Sequence, residues 1–263
     1  MALFSDMKTP LVPIHTPSIY KVKGARVPLP ERMARCTPDT RRAIQDLAQA
    51  VAAQGGALYL SDLFRSYDMQ LQSHLDWKTG KKKAKSPPPG GSLHEAGRAM
   101  DMDLDAIEVS LEVFWELARA VGFFPIIASP KPKTSEAWHF DRRGSHDLVY
   151  EYYRGGHGSN LAPYTAMAAS GILATGERVD FFGNRQREAA LQCGLIRLDQ
   201  TLGNVDGAIG MKTFRALEAA GVTSGTVENM LLEVEHLVQA RFPEEFRQDE
   251  MVSPLSAPWT EVD

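Results

Sequence analysis

Two imidazoles and two carboxylates stand at spacings that suit metal chemistry. His94 and Asp101 lie seven residues apart in Ser92-Leu93-His94-Glu95-Ala96-Gly97-Arg98-Ala99-Met100-Asp101, and Glu136-Ala137-Trp138-His139 adds a second carboxylate and a second imidazole downstream. Two His and one Asp can serve as ligands, with a Glu left over. Three protein ligands and a water make up the usual inventory of a catalytic zinc site. The plainer explanation of the first stretch is a strand with a solvated acidic face. Met100, Met102 and Leu104 alternate with Asp101, Asp103 and Asp105, so apolar and acidic side chains take opposite faces. Alone, the stretch is best explained that way; the Glu136–His139 pair shifts the weight toward chemistry.

These residues need elements to hold them. Residues 1–38 are rich in Pro and basic residues and are expected to wrap the surface as an irregular arm. Thr37-Pro38-Asp39 has the composition of a helix start, and Ile44, Leu47, Ala48 and Val51 are spaced for one apolar face before Gly55-Gly56 stops it. A short strand, Ala57 to Leu60, follows, and Phe64 to Gln70 marks a strand-to-helix transition. Lys78, Lys81, Lys82, Lys83 and Lys85, then Pro87-Pro88-Pro89-Gly90-Gly91, form a loop. Lysine runs are usually only solvated, but this one leads into His94, where it would favour acidic substrates. A helix from about Glu108 to Val121 carries Leu111, Phe114, Trp115 and Ala118 inward, and Phe124 to Ala128 has strand character. Strand period would set Glu136 and His139 on opposite faces, so Glu136 is placed at a loop end and His139 in the strand after it. Asp103 lies about 7 Å beyond Asp101, too far to share its ion. His74, His146 and His157 lack partners in sequence and are expected to be surface or hydrogen-bonded histidines.

Composition narrows the remaining classes. With 263 residues, 43% hydrophobic and 24% charged, the chain has a soluble globular balance and room for one large or two smaller domains. A formal charge of −4 argues against general nucleic-acid binding. No run of about 18 apolar residues occurs, so no membrane span is expected. Met1 to Pro10 lacks a basic segment followed by an apolar core, so no signal peptide is expected there. Cys36 and Cys193 are far apart and are expected to be buried thiols.

The pair of motifs Ser-x-His-x-x-Gly-x-Ala-x-Asp and Glu-x-x-His resembles the zinc D-alanyl-D-alanine peptidases, the LAS-type metallopeptidases that include the VanY-like vancomycin-resistance enzymes. Arg65-Ser66-Tyr67-x-x-Gln70 resembles that family's substrate-side motif, in the right order, so the likeness covers roughly residues 30–153. It implies an α+β fold, with a small, mostly antiparallel sheet flanked by helices (LAS/hedgehog-like). It also implies one Zn2+ held by His94, Asp101 and His139, with Glu136 as general base. Arg65 would neutralise either a substrate carboxylate or the developing oxyanion, a choice left open here. Ser92, Gln70, Tyr67 and Trp138 are the substrate-side candidates, Ser92 alternatively orienting His94 and Trp138 alternatively packing in the core. The His-Glu-x-x-His helix of other metallopeptidases is excluded because Arg98 occupies the second His position.

Arg154-Gly155-Gly156-His157-Gly158-Ser159-Asn160 is the clearest linker composition. Helical patterns follow at Pro163–Ala169, Arg185–Leu198, Met211–Ala220 and Val227–Phe242, the last with Leu231, Leu232, Val234, Leu237 and Val238 as its inward set. Ala190-Leu191-Gln192, Val205-Asp206-Gly207-Ala208-Ile209-Gly210 and Thr213 resemble the helical peptidoglycan-binding module, with Leu217-Glu218 departing from its commoner Phe-Gln pair. The expected organisation is a zinc peptidase domain with its arm over 1–153, a linker and helix over 154–182, a small all-α domain over 183–242, and a loosely ordered tail over 243–263. The expected activity is hydrolysis of peptidoglycan stem peptides at the cell wall, foremost as a D,D-carboxypeptidase. The alternatives are a phage-lysin-type endopeptidase, such as one cutting L-Ala-D-Glu, and a non-catalytic wall-binding protein.

Overall fold

The structure is a computed structural model and describes residues 8–223 and 225–247. Strands β1 (Val12–Pro13), β2 (Pro17–Val22), β3 (Ala25–Pro28) and β4 (Arg35–Cys36) open the chain. Helix α1 (Pro38–Ala53), β5 (Leu60–Asp62), α2 (Tyr67–Lys78), β6 (Ala99–Met102), α3 (Leu111–Ala120), β7 (Phe123–Pro125) and β8 (His139–Arg142) follow. Five helices complete it: α4 (Asp147–Arg154), α5 (Pro163–Ala174), α6 (Gln186–Arg197), α7 (Met211–Ala219) and α8 (Val227–Arg241). The fold is α+β, and its six-stranded sheet runs β3-β2-β5-β6-β8-β7, antiparallel except between β2 and β5.

Residues 8–38 are not an irregular arm, and residues 1–7 lie outside the described residues. Strand β2 pairs with β5 through Ser18 and Leu60, and Ile14, Leu29, Met33 and Cys36 are buried. Three of the prolines that suggested irregularity sit at strand ends, Pro13 at the end of β1, Pro17 at the start of β2 and Pro28 at the end of the edge strand β3, where a missing N–H is tolerated.

Helix α1 starts at extended Thr37, with Pro38 and Asp39 in its first turn, and buries Ala43, Ile44, Leu47 and Val51. Helix α3 is capped by Ser110, whose Oγ accepts from the Val113 N–H, and buries Leu111, Phe114, Trp115 and Ala118. Together these faces cover the sheet residues Leu60, Met100 and Phe140 in one core.

A second core joins helices α4 to α8 and draws Leu93, Ala96 and Ala99 into it from the segment that carries His94. Helix α5 is apolar nearly all round, with Ala166 to Leu173 buried, as suits a helix at the centre of a packed group. The backbone of Gly171 passes so close to that segment that a Cβ there would stand 3.0 Å from the Ala96 Cβ. In the Arg154–Asn160 stretch, Arg154 ends α4 and the rest is a loop tied at its end: Tyr153 Oη donates to Asn160 Oδ1, and Asn160 Nδ2 donates to the Val205 carbonyl.

On α8 the buried set is Met230, Val234 and Val238 at i, i+4, i+8, while Leu237 is exposed and Leu231 and Leu232 are only partly covered. The Leu191-Gln192 and Val205-Asp206-Gly207 motifs meet directly. Gln192 Oε1 accepts from the Asp206 and Gly207 N–H groups at 2.9 and 2.8 Å, and its Nε2 donates to Asp206 Oδ1 and the Ala208 carbonyl. Pro243–Glu245 is not loose either. Glu245 is fully buried against Arg197 and Arg98, which gives the segment after α8 a charge-paired anchor. Residues 248–263 lie outside the described residues.

Candidate metal centre

The site is made by sheet register. Asp101 in β6 pairs opposite His139 in β8, which puts both side chains on one face with Cβ atoms about 5 Å apart. His94 comes from the tight turn before β6, in which the Gly97 N–H donates to the His94 carbonyl. Gly97 has φ +62°, and a Cβ there would lie 2.9 Å from the Cys36 Cα, so the turn closes only around glycine.

His94 Nδ1 donates to the Leu63 carbonyl at 2.7 Å, which turns Nε2 toward Asp101 Oδ1 at 3.3 Å. His139 is turned the other way. Its Nε2 contacts Asp141 Oδ1 at 2.9 Å and its Nδ1 faces Asp101 Oδ1 at 2.8 Å. Supporting bonds of this kind orient histidine ligands. The three donor atoms lie within 4.8 Å of one another, and they are the one such group of His, Cys, Asp or Glu among the described residues. Donors on a tetrahedral zinc about 2.0–2.1 Å away stand roughly 3.3 Å apart, so the spacing fits that ion.

Glu136 stands beside this group at the end of a turn, its carbonyl accepting from the His139 N–H. Its φ of +67° is rare for a residue with a side chain and holds it out of strand alternation. Its Oε1 is buried without a hydrogen-bond partner among the described residues. A buried carboxylate oxygen left bare beside three converging donors fits a site completed by an ion and its water. Glu136 thus stands at a loop end and His139 in the strand.

Burial pushes Glu136 upward, toward the range of a general base. For Asp101, burial favours the neutral form, but the His94 and His139 imidazoles outweigh it and hold the carboxyl well below its usual range. Burial likewise disfavours a charged His139, yet Asp141 and Asp101 raise it to about 10, so without metal it carries a proton that an ion must displace.

A cavity of about 410 Å³ opens over the group. His94, Asp101, His139, Glu136, Arg65, Ser92 and Trp138 all border it. Arg65 is held by Asp62 at Nε (2.6 Å), by Gln70 at Nη1 and by Asp101 Oδ2 at Nη2 (3.2 Å). Ser92 Oγ also accepts from the His94 N–H. Gln70 and Tyr67 are not at the cavity surface. Gln70 is fully buried behind Arg65, its Nε2 donating to Ser86 Oγ and the Pro87 carbonyl. Tyr67, the first residue of α2, turns outward to donate to Asp180 Oδ2, with Arg178 over its ring. Asp103 is turned toward Arg26. His74 bonds the Ser86 carbonyl, and His146 is buried against Ser170 Oγ.

Three contributors were missed by reading the sequence. Asp141, two residues after His139 on one strand, faces the same way and could have been recognised from that spacing. Tyr164 and Thr165 of α5 also line the cavity, and Tyr164 Oη donates to Asp141 Oδ1 at 3.2 Å. They come from a helix with no motif tying it to the site. Both cysteines are buried and unpaired, as expected.

Residues 34–141 match the model of the VanY D-alanyl-D-alanine carboxypeptidase family. A search of curated proteins gives no match. Among solved structures, the LdcB LD-carboxypeptidase is similar at 19% identity and TM-score 0.38, over 50% of this chain and 66% of that one. A vancomycin-resistance D,D-pentapeptidase VanY in complex with Zn(II) is similar at 20% identity and TM-score 0.34, over 60% of this chain and 97% of that one.

Proposed function

We propose, from the match of residues 34–141 to the model of the VanY D-alanyl-D-alanine carboxypeptidase family, that this chain is a zinc peptidase that removes the terminal D-Ala from peptidoglycan stem peptides. The observation that carries the reading is the pairing of three converging donors with the unpartnered Glu136 oxygen. His94 Nε2, Asp101 Oδ1 and His139 Nδ1 would hold one Zn2+. Zinc so held lowers the pKa of a bound water to about 7 and polarises the scissile carbonyl. Glu136 takes the nucleophile's proton at Oε1 and returns it to the leaving amine. Arg65, bonded to the ligand Asp101 and still holding N–H groups in reserve, is placed for the developing oxyanion. Ser92 orients His94, and Trp138 walls the cavity. Gln70 acts through Arg65 rather than on substrate.

The substrate makes the cell wall the place of action, periplasmic or extracellular. Among the described residues no helix is long and apolar enough to cross a membrane. The 183–242 region, with its peptidoglycan-binding-like turn, serves as an accessory to the catalytic part. A non-catalytic, structural zinc would take a fourth protein ligand, and no other His, Cys, Asp or Glu joins the three among the described residues.

Glu136→Gln tests the reading. The variant is expected to bind zinc at wild-type stoichiometry and to lose on the order of 10²–10⁴-fold in kcat on a pentapeptide stem. Full activity in that variant removes Glu136 from the mechanism. Mass spectrometry of the digest should show loss of one D-Ala; cleavage inside the stem would instead establish the endopeptidase.

A further inference from the structure

The cavity contains a cation that the mechanism above leaves unused. Arg65 faces two carboxylates, Asp62 and Asp101, so its charge is matched within the protein. Lys82 borders the same cavity, is partly buried and forms no salt bridge with a carboxylate among the described residues. It is nevertheless held in place. Its backbone N–H donates to the Asp76 carbonyl and its Nζ donates to Ser73 Oγ at 3.0 Å, both on α2. Lys85 also borders the cavity but is exposed, and the exposed Lys81 lies near Asp76. The loop itself is pinned to α2 by Gln70, which grips Ser86 and Pro87, and by His74 on the Ser86 carbonyl.

An ammonium has three donors, and Ser73 takes one. Ala84, Pro87, Ile126 and Trp138 supply apolar parts of the same cavity wall. An ionic hydrogen bond gains strength in such surroundings. Burial and the nearby Arg65 lower the proton affinity of Lys82 against the opposing pull of Asp101, Asp62 and Glu136, and an incoming anion would favour its charged form.

We propose that Lys82 binds the free α-carboxylate of the residue to be released, and so confines the enzyme to chain ends. The inference rests on the zinc-peptidase reading and assigns its substrate selectivity to one residue. It separates the two charges at the cavity: Arg65 serves the oxyanion and Lys82 the carboxylate. A substrate whose released portion continues past that residue, or ends in an amide, offers Lys82 no charge.

The test is binding by the zinc-loaded, full-length Glu136→Gln chain of two stem peptides that differ only in a C-terminal carboxylate or carboxamide. Titration calorimetry should show a preference for the carboxylate of roughly 10- to 100-fold, the worth of a charged hydrogen bond. Adding Lys82→Met should abolish the preference by weakening the carboxylate peptide alone, and Lys82→Arg should restore most of it. Zinc stoichiometry and the unfolding midpoint of each variant check that the loop and site persist. The proposal is overturned if Lys82→Met weakens both peptides equally, or if the preference survives it. Failure of the peptidase reading would show separately, as absence of stem-peptide hydrolysis by the chain with Glu136 intact.

Discussion

His139 sits between two carboxylates, and its protonation couples metal binding to pH. In the metal-free chain Asp141 and Asp101 raise it to about 10, above the roughly 6.5 of an unfolded histidine. The folded state therefore binds that proton more tightly. The stability it contributes is fully present below about pH 6.5 and is lost as pH rises toward 10. Zinc displaces the same proton. Urea unfolding of chelated protein should thus show a decline between pH 6.5 and 10 that zinc-loaded protein lacks, with protons released on metal addition at pH 7. Parallel stability profiles for the two forms would refute the assignment. Much of this residue scale was legible in sequence: His94, Asp101, Glu136 and His139 are told by residue type and spacing. Tyr67 and Gln70 were not so legible, because a motif names residues near a site without saying which way each side chain turns.

At the scale of elements, the turn from Ser92 to Arg98 decides whether His94 meets the sheet. Gly97 adopts φ +62° with Leu11 and the Cys36 backbone packed against the place a Cβ would occupy. Gly97→Ala is expected to cost about 1–3 kcal/mol from strain and overpacking together, and to weaken zinc binding because His94 shifts with the turn. Gly80→Ala is the control. It has φ +77° in open space, so only the smaller conformational cost applies and zinc binding should be unchanged. Chemical denaturation with zinc titration of both variants measures the difference; equal effects would mean that close packing at Gly97 is unimportant. Helices α1 and α3 were readable from apolar period and end signals. The short strands of the first 38 residues were not, since their pairing with β5 is a long-range contact and their prolines mimic loop composition.

Across the whole molecule, a buried charge cluster joins α1 and the turn before β6 to the segment after α8. Glu245 Oε2 accepts from Arg197 Nη2 at 2.6 Å, and its Oε1 accepts from the Ser145 N–H and lies 3.3 Å from Arg98 Nη2. Arg98 also donates to Asp39 Oδ2 in α1. Glu245→Ala would strand Arg197 and weaken the compensation of Arg98, a loss of about 3–5 kcal/mol for a broken buried pair. Because Arg98 lies between Gly97 and β6, zinc release and helix unfolding should shift together in thermal melts. A helical transition that moves while zinc release stays put would show that the two parts unfold independently.

The sequence by itself determined the chemistry: the donor types, their order, the spare Glu, and the helices whose apolar period declares them. Only the tertiary structure decided the pairing of Asp101 with His139, the commitment of Arg65 to two carboxylates, the exposure of Lys82 to the cavity and the arrival of Tyr164 from α5. Ligand type and local periodicity are properties of neighbouring residues. Register, cavity walls and charge compensation arise from contacts between segments far apart in the chain, which no local pattern encodes.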